Sequence, residues 1–167
     1  MKKLIVMLGV LLLAAVMVRA VENLSDNGTA KAKIIQAATL AHQSGALDFG
    51  VIIADTTGGT STIAAQSGVT SASDSTGLKR ATGAVSSDHF TLSNLDTATT
   101  YNVAVDPSVE IVNASDATKK MTVALTVSDD EVTGVASKEL YVGGTLTIGA
   151  SQAAGNYEGQ YAMTVTY

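Results

Sequence analysis

From residue 30 to residue 167, apolar and polar positions alternate with a period of two over short stretches. A half-buried antiparallel strand divides its side chains between core and solvent in this way. The pattern predicts strands over 30–36, 47–54, 60–66, 83–92, 100–105, 109–112, 120–127, 140–148 and 157–167. Between them stand Thr57-Gly58-Gly59, Ser128-Asp129-Asp130-Glu131, Gly143-Gly144 and Ala154-Gly155-Asn156, residues that tolerate positive φ or bond their own backbone, and they are read as turns. The Gly/Ser/Thr/Asp-rich stretch 67–77 reads as an exposed, mobile loop. Residues 33–43 contain enough Ala and Gln for a helix, but Ile34-Ile35 and Thr39 favour a strand running into a loop. Strands at this spacing without intervening helices predict an all-β fold, an immunoglobulin-like antiparallel β-sandwich of about 8–10 strands.

The two ends of the strand-forming region carry the most information. In 161–167 the large residues Tyr161, Met163, Val165 and Tyr167 share one face, and Ala162, Thr164 and Thr166 the other. A strand with so apolar a face needs a partner to cover it. Near the start, Ala30, Ala32 and Ile34 alternate with Lys31 and Lys33, which makes a second amphipathic strand.

The first residues bear on compartment. Lys2 and Lys3 precede an apolar run over 4–18, shorter than the roughly 20 residues of a membrane span, and Val18-Arg19-Ala20 places small residues at a cleavage position. Residues 1–20 therefore read as a signal peptide, 21–28 as a short polar extension and 29–167 as a single domain. Removing Lys2, Lys3 and Arg19 from the 10 basic residues, against 15 acidic ones, takes the formal net charge from −5 to −8. That balance excludes a basic stripe for nucleic acid; the basic pairs Lys79-Arg80 and Lys119-Lys120 read as solvated strand ends. The chain has no cysteine, so the expected export compartment finds no disulfide to form, and thiol chemistry is excluded.

No constellation of reactive residues emerges. His89 follows Asp88, but no Gly-x-Ser-x-Gly elbow accompanies it, and His42 is the only other histidine. Asp129-Asp130-Glu131 lacks the alternating Asp-x-Asp-x-Asp-Gly loop of a calcium site, and Gly58-Gly59-Thr60 lacks the lysine of a phosphate loop. Asn-x-Ser/Thr patterns begin at Asn23, Asn27 and Asn113, in a chain whose leader has a bacterial character. The sequence predicts no catalytic, metal-binding or cofactor-binding residue. Tyr101, Tyr141, Tyr157, Tyr161 and Tyr167 read as core and cross-strand residues, with a sugar-binding platform as the alternative.

Several motifs in order resemble a known family: Thr29-Ala30-Lys31-Ala32-Lys33-Ile34, then Leu47-Asp48-Phe49-Gly50, then Leu140-Tyr141-Val142-Gly143-Gly144-Thr145-Leu146, then Gln152 to Tyr161, and a closing Val165-Thr166-Tyr167. Together they resemble the bacterial secreted family called domain of unknown function 4402, which is similar to fimbrial subunits assembled by periplasmic chaperones and outer-membrane ushers. The resemblance implies a subunit of a surface fibre, exported to the periplasm and then to the cell surface, with neighbouring copies or related subunits as partners. It implies a carboxy-terminal assembly strand on Gly155, Tyr161, Met163, Val165 and Tyr167. Those pilins usually place the tyrosine one residue earlier and carry a cysteine pair, so the assembly route stays open. Ala30, Ala32 and Ile34 form the candidate donor strand, donated to a neighbour or kept as the first strand of its own sandwich. A self-contained secreted module recognising a carbohydrate or protein is the alternative function.

Overall fold

The computed structural model describes residues 24–43, 45–53 and 55–167. The leader expected over 1–20, and the first residues of the polar extension, lie outside them. The chain divides into two compact units, 1–33 and 34–167. In the first, the described residues 24–33 are exposed and belong to no helix or strand.

Among its described residues the second unit is all β, with eight strands of four or more residues and five two-residue ladders: β1 Thr39–His42, β2 Ile52–Ile53, β3 Gly59–Ile63, β4 Ser73–Asp74, β5 Lys79–Arg80, β6 Asp88–Ser93, β7 Tyr101–Val105, β8 Ser108–Asn113, β9 Lys120–Val127, β10 Glu131–Val132, β11 Ser137–Ile148, β12 Tyr157–Glu158 and β13 Met163–Thr166. The larger sheet runs β1-β6-β11-β9-β8-β12, with β3 attached to β11 and β4 to β3. A smaller sheet runs β10-β7-β13, and β2 pairs with β5. Every pairing is antiparallel. The fold is an antiparallel β-sandwich.

Alternation decides which face each strand buries. In β7, Tyr101 and Val103 are buried while Asn102 and Ala104 are exposed; in β9, Val123 and Leu125 point inward between exposed Thr122, Ala124 and Thr126. Leu92 and Leu140 from the larger sheet close one core cluster against Tyr101, Val103 and Val132 from the smaller one. A second cluster gathers Phe49, Ile63, Val85, Val123, Leu125, Val142, Leu146 and Ile148, with Phe90 and Met163 packed against both. Each fully buried side chain of this size contributes about 1.5–3 kcal/mol. At the corner between β6 and β7, the Tyr101 hydroxyl accepts the Asp96 N–H at 2.9 Å, which fixes the crossing from one sheet to the other.

The 12-residue β11 organises the larger sheet. On one flank it pairs with β6 through Ser137 to Val142 and then with β3 through Gly144 to Ile148; on the other it pairs with β9. Gly143-Gly144, expected as a turn, is therefore buried in mid-strand. The reason is steric. At Gly143 the backbone of 63–65 passes so close that a Cβ would stand 2.4 Å from the Ile63 carbonyl oxygen and 2.5 Å from the Ala65 nitrogen.

Other expectations need correction. The strand expected over 30–36 is absent, its residues exposed; Thr39–His42 forms β1 instead and pairs with β6, while Leu40 and the preceding Ala38 pack against the core. Stretch 67–77 is not a free loop, because Val69 and Ala72 pack on the core and Ser73–Asp74 pairs with β3. Nor is Arg80 a solvated strand end. Its guanidinium donates to both Asp74 oxygens at 3.0 and 2.7 Å, to Ser61 Oγ at 2.7 Å and to the Phe49 carbonyl. These bonds hold the Asp74 carboxyl below its ordinary range. Within 128–131, Glu131 starts a ladder with β7 that buries Val132.

Gly143→Ala should lower stability by about 1–3 kcal/mol, since the methyl must displace backbone rather than a mobile side chain. Denaturant unfolding measures it; a change within about 0.5 kcal/mol, the usual range for surface substitutions, would contradict the close approach.

Candidate functional site

The inner face of β8, β9 and β11 extends beyond what the smaller sheet covers. There Val109, Ile111, Met121, Val123, Leu146 and Ile148 floor a trough of about 1090 Å³, bounded by residues 46–52 on one side and 152–161 on the other. Val109, Ile111 and Met121 remain only half-buried. A smaller recess of about 410 Å³, lined by His42, Ala46, Leu47, Asp88, Phe90 and Tyr161 among others, shares that border.

The wall over 157–166 is built from β12 and β13, and their register shows which way the backbone faces. Antiparallel strands turn alternate residues toward and away from each partner. Ala114 N–H bonds the Asn156 carbonyl, so the even-numbered residues of this stretch face β8. Asp106 N–H bonds the Ala162 carbonyl, while Val103 N–H bonds Asp130 on the opposite flank of β7, so Thr164 and Thr166 face β7. Tyr157, Gly159, Met163 and Val165 thus turn their N–H and C=O groups to the outer edge, and no strand among the described residues pairs with that edge. The opposite wall has a similar edge. Gln43 N–H bonds the His89 carbonyl, so Leu40 and His42 in β1 face away from β6, where β1 has no second partner among the described strands.

Between the two walls sits Asp88, 5% exposed. Its Oδ1 accepts His42 Nε2 at 2.7 Å and His89 N–H at 2.8 Å, and its Oδ2 accepts the Tyr161 hydroxyl at 2.5 Å. A buried carboxylate needs such donors, because stripping its water without them would cost several kcal/mol. Burial and the adjacent carboxylate push the Tyr161 hydroxyl far above its ordinary value, so it stays a donor at any physiological pH.

Of the expected carboxy-terminal residues, Met163 and Val165 lie in β13, Tyr161 and Tyr167 flank it, and Gly155 stands in the turn before β12. Tyr161, Met163 and Val165 are half-buried and packed against the core clusters. Tyr167 is 61% exposed, its ring 5.1 Å from that of Tyr101. Gly155 has φ 145°, and a Cβ there would stand 2.3 Å from Asn113 Nδ2. Asn113 is buried and holds its own turn, donating to Ala154 C=O and accepting from Ser115 and Asp116 N–H. Ala30, Ala32 and Ile34 are exposed and lie outside every strand.

The tyrosines do not share one surface. Tyr101 is buried, the Tyr157 hydroxyl donates to Ala153 C=O at 2.7 Å, and Tyr141 stacks on His89 at 4.8 Å with Glu139 bonded to that histidine. Sequence reasoning noted that His89 follows Asp88, read no site there, and missed the contacts of Asp88 with His42 and Tyr161. The signal was available: Asp88 falls on the same parity as Phe90 and Leu92, and a carboxylate on an apolar face calls for buried donors. The trough floor was missed because it joins residues of three strands that are remote in sequence.

Over residues 39–167 the chain matches the family described as Domain of unknown function (DUF4402). None of the curated proteins matches it.

Gly155→Ala should push Asn113 off its partners and cost about 1–3 kcal/mol, with faster hydrogen exchange at Ser115 and Asp116 than elsewhere. Unaltered exchange at those two amides would contradict the contact.

Proposed function

The chain belongs to the domain of unknown function 4402 family, and we propose that it is an exported structural subunit of a bacterial surface fibre, joined to its neighbours by β-strand addition. The observation that carries this reading is the unpaired edge at Tyr157, Gly159, Met163 and Val165 beside an open apolar trough. A strand laid along it would satisfy backbone groups that otherwise rely on water and would invite unwanted pairing. Its alternate side chains would enter the trough, where each Å² of buried apolar area contributes about 25 cal/mol.

The donor in this reading is the segment carrying Ala30, Ala32 and Ile34. Ile34 is 94% exposed, and the segment is free of secondary structure. Lys31 and Lys33 alternate with the apolar residues, while Asp48 and Glu158 lie among the trough's borders, so the charges are complementary. Donor and acceptor are different surfaces of one chain. Repeating such a contact does not close, and gives a filament. A periplasmic chaperone could hold the same edge before assembly, with an usher as the route outward.

Sedimentation of the full chain and of a variant lacking 21–34 tests the reading. The full chain should form concentration-dependent oligomers, and the deletion should leave a folded monomer. A full chain that stays monomeric at every concentration, or a deletion variant that still polymerises, would overturn donation by this segment.

A further inference from the structure

Asp88, His42 and Tyr161 hold positions that pure core packing does not require. His42 ends β1, the edge strand on one side of the recess, and Tyr161 lies just before β13 on the other. Both side chains close on the same buried carboxylate, His42 Nε2 on Oδ1 at 2.7 Å and the Tyr161 hydroxyl on Oδ2 at 2.5 Å. Asp88 itself is anchored from β6 by its pairing with Val142. The recess they enclose shares Ala46, Leu47, Gly159 and Tyr161 with the main trough, so an extended segment following the outer edge from Gly159 to Met163 must pass this point.

We infer that the Asp88 node is an autoinhibitory clasp, which draws the two edges together where His42 ends β1 and Tyr161 precedes β13, and restrains entry of an added strand. The inference rests on the strand-addition reading for what is restrained, but the clasp is a property of the single chain. Its parts are unequal. Tyr161 is half-buried and donates through a hydroxyl that does not ionise in the physiological range, so it is the permanent arm. His42 is 49% exposed at its side chain and lies 4.7 Å from the Phe90 ring, so it is the arm that leaves more readily. With either arm released, Asp88 turns to water, and the edge it held moves apart from the other. The clasp thereby discourages pairing by a casual partner and yields to a strand whose burial outweighs two hydrogen bonds.

The test uses the full chain and three variants: Tyr161→Phe, which keeps the ring and removes only the donor, His42→Ala, and His42→Gln, whose amide can replace Nε2. Hydrogen exchange should accelerate about tenfold at Ala162 and Asp106 in Tyr161→Phe and at Gln43 in His42→Ala. Amides of the β3–β11 ladder should be unchanged, and His42→Gln should return toward the wild-type rate. Uptake of a labelled peptide with the sequence of residues 28–36 should quicken in the two clasp-breaking variants. Unchanged exchange, or acceleration spread over the whole sandwich, would overturn the clasp. Local acceleration with equal peptide uptake in all versions would remove its inhibitory role. Local acceleration with no uptake by any version would instead strike the strand-addition reading and, with it, the clasp's purpose.

Discussion

Backbone N–H and C=O groups must be bonded by something, and along Tyr157, Gly159, Met163 and Val165 no strand among the described residues does so. In the middle of the larger sheet the ladders are continuous: β11 alone satisfies three neighbours. The unsatisfied edge follows from how the last segment is used. It pairs with β8 through Tyr157 and Glu158, then changes sheets and pairs with β7 through Met163 to Thr166, so it borders both layers and completes neither. The trough is the space that this half-completion leaves open.

The same segment also explains where the apolar surface lies. Because the residues with outward backbone share a parity, their side chains share a face, and Tyr161, Met163 and Val165 turn that face to the core. An arriving strand would therefore meet backbone at the rim and apolar side chains at the floor. Val109, Ile111 and Met121 wait there half-covered. The polar exception is Asp88, and its three donors keep a charge tolerable at a point where the two walls approach.

Much of the fold was legible from alternation alone. Residues 120–127 form β9 with the expected bounds, and 100–105 and 109–112 differ from β7 and β8 by a residue or two at their ends. The failures have physical causes. Gly143-Gly144 looks like a turn to any local rule, and only the passage of 63–65 across β11 explains two glycines in a buried strand. Residues 30–36 have the right period, but a period of two does not say which strand a segment pairs with, and the pairing with β6 goes to Thr39–His42 instead. Arg80 reads as surface until Asp74, Ser61 and Phe49 gather around it. Around the trough, the shared face of Tyr161, Met163 and Val165 was readable because these residues are contiguous, whereas the trough floor and the His42–Asp88 contact join residues far apart along the chain.

Strand addition, as proposed, takes place along the edge over 157–165. Residue-resolved hydrogen exchange on the full chain, compared between dilute and concentrated protein, addresses it most directly. The amides of Tyr157, Gly159, Met163 and Val165 should exchange rapidly when dilute and become protected by at least tenfold on association. Association that left those four amides exchanging as fast as before, while protecting some other surface, would contradict it.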